Sequence, residues 1–164
     1  MKKLVFLFIT LSAQQFCLAQ ASASATVESR ATVIDPIQID KSVDLDFGNV
    51  ISAYNPGSVI LSPDGSRVAY GVEISSSIPG NVAPAEAVVT HGNNNYSITL
   101  PQSFSLYHQE NPNQILVIDQ FTVEALTGEN SDVLKIGATL SLEANQAAGY
   151  YTNESGFNVT VSYN

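Results

Sequence analysis

Residues 156–164 read GFNVTVSYN. Phe157, Val159, Val161 and Tyr163 are apolar or aromatic, while Asn158, Thr160, Ser162 and Asn164 between them are polar. Successive side chains leave a pleated strand on opposite sides, so a two-residue period of this kind is the pattern of a β-strand with one buried face. Such a strand needs a core to cover and a neighbour for its backbone groups. The rest of the chain must supply both.

Upstream, alternating segments separated by turn chemistry recur: ATVESRATVI (25–34), VDLDF (43–47), GSVILS (57–62), SRVAYGVEI (66–74), AEAVVTH (85–91), NYSITL (95–100), QILVIDQFTVEAL (114–126) and LKIGATLSLE (134–143). No stretch of eleven or more residues carries a helical period. With the closing strand, nine short strands predict an all-β fold, a two-sheet antiparallel β-sandwich rather than a closed barrel. Ser62-Pro63-Asp64-Gly65 puts Pro where φ is pre-set and Gly where φ can be positive, so the strands either side of it should form a hairpin. Asn93-Asn94-Asn95 after Gly92, and Ser75-Ser76-Ser77 with Pro79-Gly80, mark two further loops. In the strand around Leu140, Ile136, Ala138, Leu140 and Leu142 share one face, with Gly137, Thr139, Ser141 and Glu143 on a solvated one.

The first nineteen residues, MKKLVFLFITLSAQQFCLA, have two lysines, an apolar run too short to span a bilayer, and small residues at the end. That is the layout of a secretory signal peptide, so residues 1–19 are expected to be removed and the protein exported to the periplasm, cell surface or medium. Cleavage after Ala21 is an alternative. Gln14-Gln15-Phe16 before Cys17 does not offer the small residues of a lipoprotein signal. Cys17 is the only cysteine, so the mature chain has no disulfide and must be stabilised by packing. What remains is about the size of one domain. It keeps four basic residues against fifteen acidic ones, a net charge of −11. That balance argues against nucleic acid, an anionic membrane surface and membrane insertion, and for solubility through mutual repulsion.

Candidate chemistry is sparse. His91 and His108 fall in separate loops without metal-ligand spacing, and there is no nucleophile elbow or phosphate-binding glycine loop. Asp44 and Asp46 flank Leu45 and read as a solvated acidic face. No catalytic residue, metal or cofactor is therefore expected, and the chain is read as a non-enzyme. Tyr150 and Tyr151 beside a turn are candidate ligand contacts, since tyrosine offers a sugar ring an apolar face and a polar tip.

Residues 20–34 form an N-terminal extension before the sandwich of residues 35–164. Ala23, Ala25, Val27, Ala31 and Val33 lie on one face, interrupted by Ser29. These side chains are small and have little to bury alone. The segment is either a strand that fits a groove elsewhere or the first strand of the sandwich.

VDLDFGNV, LSPDGSR, NYSITLP, GATLSLEANQAAGYY and GFNVTVSYN, in this order, resemble a bacterial secreted β-domain family of uncharacterised function. Through the L-x-F-G, A-x-Q-x-x-G-x-Y and V-T-V-x-Y pieces the chain is similar to spore-coat-U-like proteins and other pilins of the chaperone–usher pathway. That resemblance implies an incomplete immunoglobulin-like fold whose groove is filled by a periplasmic chaperone, at an outer-membrane usher, and then by the next subunit's N-terminal strand. Carried onto this chain, the acceptor strand is Phe157, Val159, Val161 and Tyr163, and the donor is Ala23, Ala25, Val27, Ala31 and Val33. The implied function is a structural subunit of a fibre or surface layer that self-associates head to tail. The alternative is a self-contained sandwich binding glycan through its loops. Asp35-Pro36 stands where spore-coat-U-like proteins place a cysteine, so their disulfide is absent.

Overall fold

A computed structural model describes residues 22–164. The expected signal peptide, residues 1–19, lies outside the described residues, as do Gln20 and Ala21. The compact unit is Ile34–Asn164, and the segment before it is separate. The described residues contain ten strands and no helix: β1 (Gln38–Val43), β2 (Gly57–Leu61), β3 (Arg67–Tyr70), β4 (Ala85–Thr90), β5 (Tyr96–Thr99), β6 (Ser103–His108), β7 (Ile115–Leu126), β8 (Ser131–Leu142), β9 (Tyr151–Thr152) and β10 (Thr160–Tyr163). The expected antiparallel β-sandwich is what the chain forms.

Eight strands make one curled sheet in the order β1-β4-β8-β7-β6-β9, with β2 added to β8 and β3 to β2; β10 and β5 form a separate two-stranded sheet. The curl originates in β8. Along one edge its residues 131–136 pair with β4 and its residues 138–142 pair with β2, while β7 runs along the other edge. Between the two halves, β7 has one extra residue: Asp119 faces Thr139 but Thr122 faces Gly137. Gln120 in this bulge has φ +48°, the left-handed region that bends a strand and sharpens its twist. One long strand pair thus contributes to two layers. The first is β1, β4 and the near half of β8; the second is β3, β2, the far half of β8, the start of β7, β6 and β9.

The interior follows from strand parity. Leu134, Ile136, Ala138, Leu140 and Leu142 of β8 are all buried, as are Val59 and Leu61 of β2, Ala85, Ala87 and Val89 of β4, and Leu116 and Ile118 of β7. Phe47 and Val72 join this core from the irregular segments. The opposite side of β8 is not solvated throughout, as its alternation predicts. Thr139 and Gly137 are buried too, and the turn after β2 crosses over Gly137: a Cβ there would overlap the Leu61 carbonyl oxygen and approach Pro63 N to 2.9 Å.

That turn is the expected one. Gly65 N–H donates to Ser62 O at 2.9 Å with Gly65 at φ +85°, Asp64 Oδ1 accepts from Ser66 N–H at 2.8 Å, and Leu61 pairs with Arg67. Two other expectations change. VDLDF is not a strand of its own: Val43 ends the first strand, Gln38–Val43, where it pairs with Glu86, and beyond it only Asp46 bridges, to Ala83. ATVESRATVI has the period of a strand but forms none; Ala23, Ala25, Val27, Ala31 and Val33 are all exposed, Val27 at 84% and Val33 at 95%. Period two describes a strand only once a partner receives its backbone groups, and small side chains bury too little area to fix one.

Gly137→Ala should lower stability by about 3 kcal/mol or more, because the added methyl meets backbone that cannot yield. Urea denaturation followed by far-UV circular dichroism checks this, with Gly156→Ala, where open space surrounds the Cβ, as the milder comparison.

Candidate functional site

The two layers do not close along their whole length. An open cleft of about 1680 Å³ runs into the sandwich. One wall is the chain from Ile39 to Ser52, the other the chain from Gln146 to Val159, and core side chains including Leu106, Leu116, Ile118 and Leu140 line its floor. The cleft therefore lies between the first strand with its continuation and the segment leading into the last strand.

The predicted acceptor residues divide. Phe157 and Val159 line the cleft, whereas Val161 and Tyr163 lie in β10 and do not. All four are half-buried and Asn158, Thr160, Ser162 and Asn164 are exposed, so the alternation read from GFNVTVSYN is real. Phe157 sits in an aromatic group, 4.9 Å from Phe121 and 5.9 Å from Phe104 between ring centroids. β10 pairs with β5, Thr160 facing Thr99 and Tyr163 facing Tyr96. Asn164 N–H donates to Asn95 O in the same register, which makes Ser162–Ser97 and Thr160–Thr99 the hydrogen-bonded pairs. The N–H and C=O groups of Val161 and Tyr163 then point away from β5, and no other strand among the described residues pairs with β10. Val161 and Tyr163 thus carry an open strand edge, and all four residues present one apolar face.

A polar cluster missed by sequence reading fastens this small sheet to the large one. Asp132, at the start of β8, is buried; Tyr96 Oη–H of β5 donates to its Oδ2 at 2.6 Å and Gly128 N–H to its Oδ1 at 3.1 Å. His91, just after β4, stacks on Tyr96 with centroids 5.0 Å apart and places Nε2 3.3 Å from Asp132 Oδ1, within ion-pair range but misaligned for a hydrogen bond. Tyr163 Oη–H donates to Asp35 O at 2.8 Å and to His91 O at 3.2 Å. Burial works to raise the Asp132 carboxyl, but the Tyr96 hydroxyl, the Gly128 amide and His91 outweigh it and hold Asp132 below the usual carboxylate range. Burial, then Asp132, pushes the Tyr96 phenol up. His91 and Asp132 are 41 positions apart, and nothing local in the sequence joins them.

The other histidine is equally structural. His108 Nδ1 accepts from the amides of Glu110 and Asn111, at 3.1 and 3.2 Å, and Nε2 faces Ala148 O at 3.1 Å. That assigns the neutral tautomer with the proton on Nε2. Gly149 leaves room for the ring, and Tyr151 packs edge-on against it at 5.0 Å. Tyr151 donates its hydroxyl to Ala147 O at 2.7 Å and accepts from Gln146 Nε2 at 2.9 Å, while its neighbour Tyr150 is 67% exposed. Asp44 pairs with Lys41, and Asp46 accepts from Gly48 N–H at 2.8 Å and Asn81 Nδ2 at 3.2 Å, so these two carboxylates serve the chain locally. Among the described residues no group of three or more His, Cys, Asp or Glu side chains is placed to hold a metal ion.

The class these features define is an antiparallel β-sandwich with an unfilled cleft beside its last strand. The chain belongs to the family described as a domain of unknown function (DUF4402), which matches residues 37–163 and so spans the sandwich. No curated protein and no solved structure matches it.

Asp132 gives the site a pH signature. Its carboxyl is lowered in the folded state, so its stabilising contribution is complete above the unfolded carboxylate value of about 3.9 and is lost as pH falls through the lower folded value. The denaturation midpoint should drop on acidification below about pH 4. Asp132→Asn should be less stable at neutral pH and show a flatter acid limb, as followed by tyrosine fluorescence.

Proposed function

We propose that the protein is a non-catalytic structural subunit of an extracellular fibre or surface layer, exported and then assembled head to tail by β-strand donation. The observation that carries this reading is the cleft: it runs down to core side chains between the chain walls 39–52 and 146–159, beside a β10 edge with unpaired backbone groups. The occupant would be the 20–34 segment of a neighbouring copy, laying Ala23, Ala25, Val27, Ala31 and Val33 into the cleft and its backbone along Val159, Val161 and Tyr163. Backbone hydrogen bonds supply most of the affinity in such strand addition, so a row of small side chains suffices where apolar burial alone, at ~25 cal/mol per Å², would not. A donor and an acceptor at different places on one chain make a heterologous contact, which propagates into a filament instead of closing. The likeness to spore-coat-U-like proteins and chaperone–usher pilins supports the same reading. It adds a periplasmic chaperone and an outer-membrane usher as the partners that would shield the cleft before assembly.

Deleting residues 20–34 should convert a concentration-dependent ladder of oligomers on a sizing column into a monomer, and a synthetic peptide of those residues should bind the truncated chain. An unchanged elution profile and no peptide binding would overturn the proposal.

A second reading, a glycan-binding sandwich, is favoured by one observation. Tyr150 presents its ring to solvent beside Tyr151, which is anchored by its hydroxyl. Tyr150→Ala should then abolish saturable binding on a glycan array while leaving the fold intact.

A further inference from the structure

The described residues hold four basic side chains against fifteen acidic ones. Two of the four are half-buried and committed to the fold: Arg67 Nη1 donates to Phe47 O and Asn49 O, and Lys135 Nζ lies 3.3 Å from Glu86 Oε1. The other two, Arg30 and Lys41, are exposed, and each pairs with a near neighbour in sequence, Arg30 with Glu28 at 2.9 Å and Lys41 with Asp44. One pair lies on the segment read above as a donor strand. The other lies on the wall of the cleft that would receive it, where Lys41 and Asp44 both line the opening.

The two pairs match in spacing. Glu28 and Arg30 are two residues apart, so in an extended strand they share one side at about 7 Å, opposite to Ala23, Ala25, Val27, Ala31 and Val33. Lys41 and Asp44 are three apart, which in a regular strand would put them on opposite sides. A bulge corrects this: Lys41 faces Ala87 but Val43 faces Glu86, so one residue is absorbed and Asp44 returns to the side of Lys41. The wall also has a direction relative to β10. Tyr163 Oη holds Asp35 O, so β1 sets out from the end at which β10 finishes, and the chain from 39 to 46 runs opposite to β10.

Building on strand donation as proposed above, we infer that these two ion pairs exchange partners on assembly: Glu28 of the incoming copy binds Lys41 and its Arg30 binds Asp44. The exchange fixes the direction and register of the donor. A strand with Glu28 beside Lys41 and Arg30 beside Asp44 runs with the wall and antiparallel to β10, which is the more stable ladder. The reverse direction sets Arg30 against Lys41 and Glu28 against Asp44, like against like. Exposed ion pairs add little affinity, so their effect is to penalise the wrong approach while the backbone supplies the binding. Charge also favours this segment as the part of a copy that approaches. Residues 20–34 carry one acidic and one basic side chain, whereas residues 35–164 carry fourteen acidic and three basic, and two such domains repel.

Exchanging charges without altering their sum tests it. In the full chain at low ionic strength, Glu28→Arg with Arg30→Glu should slow oligomer formation, followed by light scattering, about tenfold, two attractions having become two repulsions. Lys41→Asp with Asp44→Lys on the wall should slow it to a similar extent. All four substitutions together should restore the rate to within about threefold of the unaltered chain, and salt at about 0.5 M should erase the differences. The donor exchange lies in a segment whose side chains are all exposed, so it leaves the core untouched. Assembly indifferent to both exchanges, or a loss that the combination does not relieve, overturns the inference; strand donation still stands if deleting residues 20–34 abolishes assembly. An unaltered chain that does not assemble, or that assembles equally well without residues 20–34, overturns both.

Discussion

The place where β8 passes beneath the end of β2 governs the architecture. Gly137 admits the Leu61 backbone, and opposite it the Gln120 bulge adds one residue to β7. Together they let one strand pair serve two layers, with β4 and β2 sharing a single edge of β8. Without the missing Cβ the turn after β2 could not cross there. Without the bulge the pair would run straight and the layers would not face one another. The cleft is a consequence of the same bend: layers that join along one seam leave the far side to be closed by other chain, and the described residues leave part of it open.

The polar groups do a different kind of work. Asp132 collects donors from Tyr96 and Gly128, and Tyr163 reaches Asp35 and His91, so six separated positions hold the β5–β10 sheet against the sandwich. His108 orders the chain from Ala148 to Tyr151, which is one wall of the cleft. The His108 ring satisfies buried backbone groups at the end of a strand, where ladder bonds run out, whereas both ring nitrogens of His91 are buried without a hydrogen-bond partner.

Legibility followed the locality of the cause. The Ser62–Gly65 hairpin could be read because four adjacent residues determine its backbone, and the faces of β8 and β10 because apolar side chains alternate without interruption. The strand at Gln38–Val43 escaped notice since its exposure pattern is irregular and Lys41 and Asp40 dilute the period. SFSLYH, by contrast, alternates well, but Phe104, Leu106 and His108 acquire their inward face only from pairing with β7. In VDLDF and ATVESRATVI the error ran the other way, as both have the period without a continuous partner. The burial of Thr139 and the meeting of His91, Tyr96 and Asp132 depend on contacts tens of residues apart, to which no local pattern corresponds.

The central place of β8 also orders events in time. β1, β2 and β4 all precede it, yet β2 and β4 pair with it directly and β1 joins the sheet only through β4. Until residue 142 is available, a growing or translocating chain can form the β2–β3 and β6–β7 hairpins but no layer that buries Val59, Leu61 or Val89. Long-range pairings of this kind are slow to find, because distant segments must be brought together before their contacts repay the lost entropy. The layers should therefore assemble late, only once β8 is available to join the earlier strands.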